Sequence, residues 1–143
     1  MTQFSTTVEI PALPDRVWAV LSDIERWPEW TPTVSRVQRL EQGPLVVGSR
    51  ARIRQPHLPP AVWQVTQLVE GREFTWVTRS PGVRVTARHG LEPSGRGTRA
   101  TLSLQYAGVL GALVARLTRG LSQRYLALEA KALSARSAVQ GGS

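Results

Sequence analysis

Short runs of alternating apolar and polar residues fill the sequence between residues 34 and 106, with turn sequences between them. In one run, Arg50, Arg52 and Arg54 alternate with Ala51 and Ile53. A two-residue period predicts strands with one buried and one solvated face. We therefore expect an antiparallel sheet with strands near residues 3–10, 34–41, 47–55, 61–69, 73–79, 83–92 and 98–106. One face of this sheet is basic and exposed to solvent, and the apolar face must be covered by another secondary-structure element.

The predicted cover is the segment from about residue 108 to 136, where apolar residues recur at the three- and four-residue steps of an amphipathic helix. These residues are Leu110, Leu113, Val114, Leu117, Leu121, Tyr125, Leu128 and Ala132. An earlier helix is predicted after Pro14, and Pro28 ends it or breaks it into a second short helix. The fold class is thus α+β, with residues 1–137 forming a single domain and residues 138–143 a disordered tail.

The composition excludes several classes of protein. There is no cysteine, which excludes disulfides and thiolate nucleophiles, and the two histidines are too far apart in sequence to suggest a metal cluster. No apolar run reaches the roughly 18 residues that a membrane span requires. The first residues do not resemble a signal peptide. We therefore expect a cytoplasmic monomer or homodimer without a cofactor, a metal or a membrane span.

The formal net charge is +8, and Lys131 is the only lysine among 18 basic residues. The arginines are spaced along the chain, which is typical of a solvated, charged surface. Those on the outer face of the predicted sheet would form a basic convex surface: Arg50, Arg52, Arg54, Arg84 and Arg88. Nucleic acid is not the expected partner, because the aromatic residues that would stack on bases point inward in the predicted sheet.

Two stretches, VEIPALPDRVWAVLSDIERWPEWTPTVSRV near the start and GTRATLSLQY before the last helix, carry a family resemblance. With the order of elements, they resemble the START-like superfamily of helix-grip proteins, which includes the birch-pollen-allergen fold and the polyketide cyclase/dehydrase and lipid-transport group. The resemblance covers nearly the whole chain. It implies a curved seven-stranded sheet that grips the C-terminal helix around a cavity for an apolar or aromatic ligand. It also implies that the short helices lie beside the open end of that cavity.

Strand parity and this resemblance together select the residues that we expect to line the cavity. Trp27 or Trp30 fills or gates the mouth, and the alternative for each is plain core packing. Gly108, Gly111, Ala112 and Ala115 leave room near the start of the last helix. The expected lining is Trp27, Trp30, Trp63, Phe74, Trp76, Thr78, Val85, Ala87, His89, Leu104, Tyr106, Leu113, Leu117 and Leu121.

His89 and Tyr106 are the polar and catalytic candidates within this lining. A neutral imidazole both donates and accepts hydrogen bonds, and its pKa lies near neutrality, so His89 would orient a ligand oxygen or act as a general base. The alternative is a histidine at the core edge that bonds a backbone carbonyl or water, beside a Tyr106 that only packs. Carboxylates are expected mostly in turns or on outer faces, without a hydrolytic pair.

Three functions are compatible with these features. The first is binding of a hydrophobic or aromatic small molecule, such as a lipid or a polyketide-like or isoprenoid-like compound. The second is an enzyme of the cyclase/dehydratase type that uses His89 or Tyr106 for proton transfer. The third is an interaction protein that acts through the basic convex surface.

Overall fold

The computed structural model describes the backbone of residues 2–141 and the side chains of residues 2–138. Its strands form one antiparallel sheet in the order β1-β7-β6-β5-β4-β3-β2. They are β1 (Thr2–Ile10), β2 (Arg36–Arg39), β3 (Arg50–Arg54), β4 (Ala61–Val69), β5 (Glu73–Ser80), β6 (Val83–Ser94) and β7 (Gly97–Ala107). Each strand from β2 to β7 pairs with its neighbour in sequence, and β1 pairs with β7 as an edge strand of the open sheet. The predicted seven-stranded antiparallel sheet is confirmed, although β2 and β3 are shorter than expected.

Two short helices follow the first strand, as predicted. Helix α1 spans Pro14–Ser22, a 3₁₀ turn covers Ile24–Arg26, and α2 spans Trp27–Trp30. Proline lies in the first turn of both α-helices, where its missing N–H costs no hydrogen bond. Pro28 is therefore the second residue of α2, and α1 has already ended at Ser22.

The C-terminal cover consists of two helices, α3 (Gly111–Leu117) and α4 (Arg119–Gly141), where the sequence predicts one. The helices meet at Thr118, whose hydroxyl donates a 2.7 Å hydrogen bond to the carbonyl of Val114, four residues earlier. Such a bond competes with the helical backbone and bends helices. The prediction of a single helix over 108–136 is therefore wrong at this position.

The residues of these helices that face the sheet differ from the predicted ones. The side chains buried against it are Ala115, Ser122, Leu126, Ala130 and Leu133. Leu113 and Leu117 are exposed, and the expectation that they line a cavity is corrected. The predicted face is displaced by about one residue on both sides of Thr118, since Ala115 and Leu126 are buried where Val114 and Tyr125 are expected.

Helix α4 continues to Gly141, whereas the sequence predicts a disordered tail from residue 138. The backbone of residues 138–141 is helical, which corrects that expectation for these four positions. Residues 142 and 143 of the predicted tail lie outside the described residues.

Close backbone packing joins the start of α3 to the β5–β6 hairpin. Gly108 has a φ of +99°, and a Cβ at this position would lie 2.5 Å from the carbonyl oxygen of Gly82. Only glycine accommodates both the left-handed backbone and the close approach. The glycine at 108 therefore brings two backbones together, and the expectation that it leaves cavity space is corrected.

The core divides into two clusters under the sheet. The larger cluster packs α1, α2 and the end of α4 against the sheet and includes Ile10, Trp18, Trp27, Phe74 and Leu133. The smaller one, under α3 and the first half of α4, includes Phe4, Leu102, Tyr106, Ala115 and Leu126. Among residues 2–141, no helix is long and apolar enough to cross a membrane.

Candidate ligand-binding cavity

A cavity of about 310 Å³ lies between the inner face of the sheet and the last two helices. Inward-facing residues of β4 to β7 form one wall, and residues of α3 and α4 form the other. This volume lies at the lower end of the range for small-molecule sites, roughly 300–1,000 Å³. The cavity is thus large enough for a compact ligand.

Most of the predicted lining residues border this cavity, as follows: Trp27, Trp63, Trp76, Thr78, Val85, Ala87, His89, Leu104, Tyr106 and Leu121. Four others do not. Phe74 is fully buried, with its ring stacked on His89, and the partly buried Trp30 packs against Trp27. Leu113 and Leu117 lie on the exposed side of α3.

Trp27 forms part of the cavity wall and does not control access to the cavity. It is 4% exposed, and its Nε1 donates a 2.9 Å hydrogen bond to the carbonyl of Leu21. Its ring centroid lies 5.3 Å from that of Trp76, and Trp76 lies 5.8 Å from Trp63. Three indoles therefore form a continuous aromatic surface. The sequence expectation of tryptophans at the mouth is corrected, because a hydrogen bond and ring packing hold Trp27 in the interior.

The opening lies on the side of the β3–β4 loop. Leu58 and Pro59 of this loop are exposed lining residues, as is Ser80 at the end of β5. The Tyr125 hydroxyl donates a hydrogen bond to the carbonyl of Pro56, which ties α4 to the same loop. Sequence parity does not reach these positions, because it describes strands and this rim is built from a loop.

His89 lies in the aromatic part of the wall. Its ring stacks on Phe74 with centroids 4.3 Å apart and 16° between the planes. Its Nδ1 lies 3.4 Å from the Phe74 carbonyl oxygen, which can only accept, so Nδ1 donates and Nε2 is the unprotonated nitrogen of the neutral ring. Burial lowers the pKa of His89 to about 4, against a smaller opposing effect of the carbonyl. The imidazole is consequently neutral at physiological pH and a weak base.

Tyr106 belongs to a cluster of hydroxyl groups on the helix side of the cavity. Its hydroxyl lies 2.8 Å from that of Ser122, and the Thr118 hydroxyl is 3.4 Å away. Ser122 and Thr118 also line the cavity. Tyr106 thereby contacts α4 and the junction between α3 and α4, which supports a role in packing and leaves its hydroxyl close to any ligand.

Glu129 is the polar residue that the sequence did not reveal. It lies on α4, borders the cavity, and accepts a 2.9 Å hydrogen bond from the Thr33 hydroxyl. Burial raises the pKa of Glu129 to about 7, and the hydrogen bond from Thr33 opposes this effect only in part. Its spacing from Leu126 and Leu133 places it on the buried helix face, a signal that requires the correct helix phase.

The arginines on the outer face of the sheet are partly neutralised. Arg50 pairs with Glu41 at 2.7 Å, and Arg88 pairs with Glu73 at 2.6 Å. The described part of the chain contains no group of three or more histidine, cysteine, aspartate or glutamate side chains that could hold a metal. The cavity is therefore the candidate site that the geometry supports best.

A sheet that grips a long helix around an apolar cavity defines the helix-grip class of ligand-binding folds. The chain belongs to the family described as polyketide cyclase / dehydrase and lipid transport, whose model matches residues 1–137. This confirms the family resemblance found in the sequence. A search among curated proteins gave no match.

Solved structures with the same fold span nearly the whole chain. A START superfamily protein from Mycobacterium smegmatis is 22% identical, covers 96% of this chain and 98% of its own, and has a TM-score of 0.74. The ZhuI aromatase/cyclase from a Streptomyces species is 16% identical, with 95% and 93% coverage and a TM-score of 0.77. A Thermus thermophilus protein is 20% identical, with 97% and 99% coverage and a TM-score of 0.77. At these identities the likeness concerns the fold.

Proposed function

We propose that the chain binds a hydrophobic or aromatic small molecule in the cavity between the sheet and the last two helices. The observation that carries this proposal is the lining: three indoles and the apolar side chains of β6 and β7 surround about 310 Å³. An apolar cavity of roughly 150 Å³ accepts benzene, so a ligand of one or two rings suits this space. Membership of a family that includes lipid transport supports the same function.

A cyclase or dehydratase is the second candidate, since His89 and Tyr106 border the same cavity and the family includes such enzymes. Proton transfer at neutral pH is most efficient for a group with a pKa near 7. The pKa of His89 is lowered to about 4, which makes it a poor general base. If the protein catalyses a reaction in which the imidazole of His89 takes part, the rate should fall about 100-fold in a His89→Ala variant. An unchanged rate would remove His89 from the mechanism.

The basic convex surface supports an interaction function less well. Arg50 and Arg88 are already paired with carboxylates, and Trp63 and Trp76 face the interior, away from the outer surface of the sheet. If the protein acts through this surface, it should bind an anionic partner, and the affinity should decrease steeply with salt concentration.

Filling the cavity tests the binding proposal. Val85 borders the cavity and is only partly buried, so Val85→Phe should occupy ligand space without opening the core. The matched control is Val62→Phe, on the outer face of β4. Titration of the fluorescent apolar probe N-phenyl-1-naphthylamine should show at least about tenfold weaker binding to Val85→Phe and unchanged binding to Val62→Phe. Equal binding to wild type and Val85→Phe, or no binding to wild type, would overturn the proposal.

A further inference from the structure

The cavity is lined by the half-buried residue Glu129, whose carboxyl group has no described cation beside it. Among the described residues that line the cavity, the ionisable side chains are His89, Arg88, Tyr106, Tyr125 and Glu129. His89 is neutral, and the guanidinium of Arg88 pairs with Glu73 on the outer face of the sheet. Further along α4, Arg136 pairs with Glu29 at 3.0 Å and does not line the cavity. A buried carboxylate is costly unless a cation or several hydrogen-bond donors compensate its charge.

A chain of two threonine hydroxyls points toward this carboxyl group. The backbone N–H of Thr33 donates to the Thr31 hydroxyl oxygen at 3.3 Å, and the two hydroxyl oxygens lie 2.9 Å apart. The Thr33 hydroxyl donates to Oε1 of Glu129 at 2.9 Å, so its oxygen is left to accept a proton from Thr31. The Thr31 hydroxyl thus donates to Thr33, and the Thr33 hydroxyl donates to Glu129. Both threonines are buried, which means that bulk water does not supply these bonds.

Glu129 nevertheless has unused capacity as an acceptor. In the part of the chain that the structure describes, its one hydrogen-bond donor is Thr33, whereas a carboxylate accepts about four hydrogen bonds. Burial raises the pKa of Glu129 to about 7, so the carboxyl group is poised between its neutral and charged forms. A donor that arrives with a ligand would both complete the hydrogen bonding and compensate the charge.

The rest of the lining is also suited to a cation. Trp27, Trp63 and Trp76 border the same cavity as Glu129, and the faces of indole rings attract ammonium groups. The neutral His89 ring does not repel a positive charge, and its Nε2 is an acceptor. Aromatic faces, an acceptor nitrogen and a carboxylate are a combination that recognises organic ammonium ions.

We propose that the preferred ligand is a protonated amine on an apolar or aromatic body, with its ammonium group paired to the carboxylate of Glu129. This inference rests on the proposed ligand-binding function and specifies the chemical class of the ligand. The apolar body contacts the indoles, and the ammonium supplies the cation that no described side chain places beside Glu129.

Three probes of similar shape test the inference: 2-naphthylmethylamine, the neutral 2-naphthylmethanol and the anionic 2-naphthoate. Binding is measured by calorimetry at about pH 8, above the pKa of about 7 for Glu129. Wild type should bind the amine at least about tenfold more tightly than the alcohol, and the naphthoate most weakly. In Glu129→Gln the amine should bind no more tightly than the alcohol, whose own affinity stays unchanged. The control Glu92→Gln removes an exposed carboxylate of β6 and should keep the preference for the amine.

The outcomes separate the two proposals. If the wild-type protein binds the alcohol as tightly as the amine, or if Glu129→Gln keeps the preference, the inference is wrong and the binding function stands. If none of the three probes binds, the proposed function itself fails. If Glu129→Gln does not fold, infrared spectra of the wild-type protein at about pH 6 provide the test. Binding of the amine should replace the band of a protonated, buried carboxyl group with that of a carboxylate. A band that does not change would reject the inference.

Discussion

The hydroxyl group of Thr33 donates a 2.9 Å hydrogen bond to the carboxyl group of Glu129, which lies 96 residues further along the chain. This bond joins the segment after α2 to the middle of α4, at the edge of the cavity. It is the one interaction of Glu129 with a described side chain that favours the charged form, since burial acts in the opposite direction. The ionisation of Glu129 therefore depends on the position of Thr33.

Replacing Thr33 by valine should raise the pKa of Glu129 further, because the carboxylate loses its donor while remaining buried. We also expect a loss of about 1–2 kcal/mol in the free energy of unfolding. Carbon-13 NMR of the labelled glutamate carboxyl groups measures the pKa. The control is Ser35→Ala, which removes an exposed hydroxyl bonded to the Arg54 carbonyl and should leave Glu129 unchanged. A lowered or unchanged pKa in Thr33→Val would contradict this account.

His89 and Glu129 should give opposite contributions to the pH dependence of stability. The folded pKa of His89 is lowered from 6.5 to about 4, so its contribution is complete above pH 6.5 and is lost as the pH falls toward 4. The folded pKa of Glu129 is raised from 4.5 to about 7, so its contribution is complete below pH 4.5 and is lost as the pH rises through 7. Between these limits the two effects oppose each other.

Single variants separate these effects. In Glu129→Gln the His89 effect remains, and the free energy of unfolding should rise by on the order of 3 kcal/mol between about pH 4 and 6.5. In His89→Phe the Glu129 effect remains, and stability should fall by a similar amount between about pH 4.5 and 7. Urea unfolding, followed by tryptophan fluorescence at each pH, measures both profiles. Parallel profiles in the two variants would show that these groups do not titrate as described.

Strand alternation was sufficient to predict the sheet and the direction of its side chains. The period of two residues leaves only two orientations, so Trp63, Trp76 and His89 could be assigned to the inner face from sequence. The register of the β5–β6 and β6–β7 hairpins follows from short turns, such as the one at Gly82 between β5 and β6. Local sequence therefore determines most of the cavity wall that the sheet provides.

The helical wall could not be predicted in the same way. Apolar residues occupy two adjacent faces of these helices, and their spacing alone does not decide which face meets the sheet. Apolar spacing alone favoured Leu113 and Leu117, which are exposed. Glu129 was missed for a second reason: a charged residue on a helix is expected to be solvated, and only the fold places Thr33 beside it.

Two glycines should respond to alanine in opposite directions. At Gly108, with φ +99°, a Cβ would meet the Gly82 carbonyl oxygen at 2.5 Å, so Gly108→Ala should cost about 1–3 kcal/mol or more. At Gly120 in α4 a Cβ would have no neighbour within 4 Å, and Gly120→Ala should stabilise by up to about 1 kcal/mol. Thermal and urea unfolding measure both. Equal effects of the two substitutions would disprove the close contact between the β5–β6 hairpin and the start of α3.

The phase of the final helices predicts unequal effects of two leucine truncations. Leu126 is 5% exposed and packs in the smaller core cluster, whereas Leu117 is 76% exposed. Leu126→Ala should cost about 2–5 kcal/mol in the free energy of unfolding, because it removes buried methyl groups and leaves a void. Leu117→Ala should change stability by no more than about 0.5 kcal/mol. Urea unfolding of both variants tests this difference. A large loss of stability in Leu117→Ala with little loss in Leu126→Ala would mean that the helices present to the sheet the face expected from apolar spacing. Glu129 would then not line the cavity.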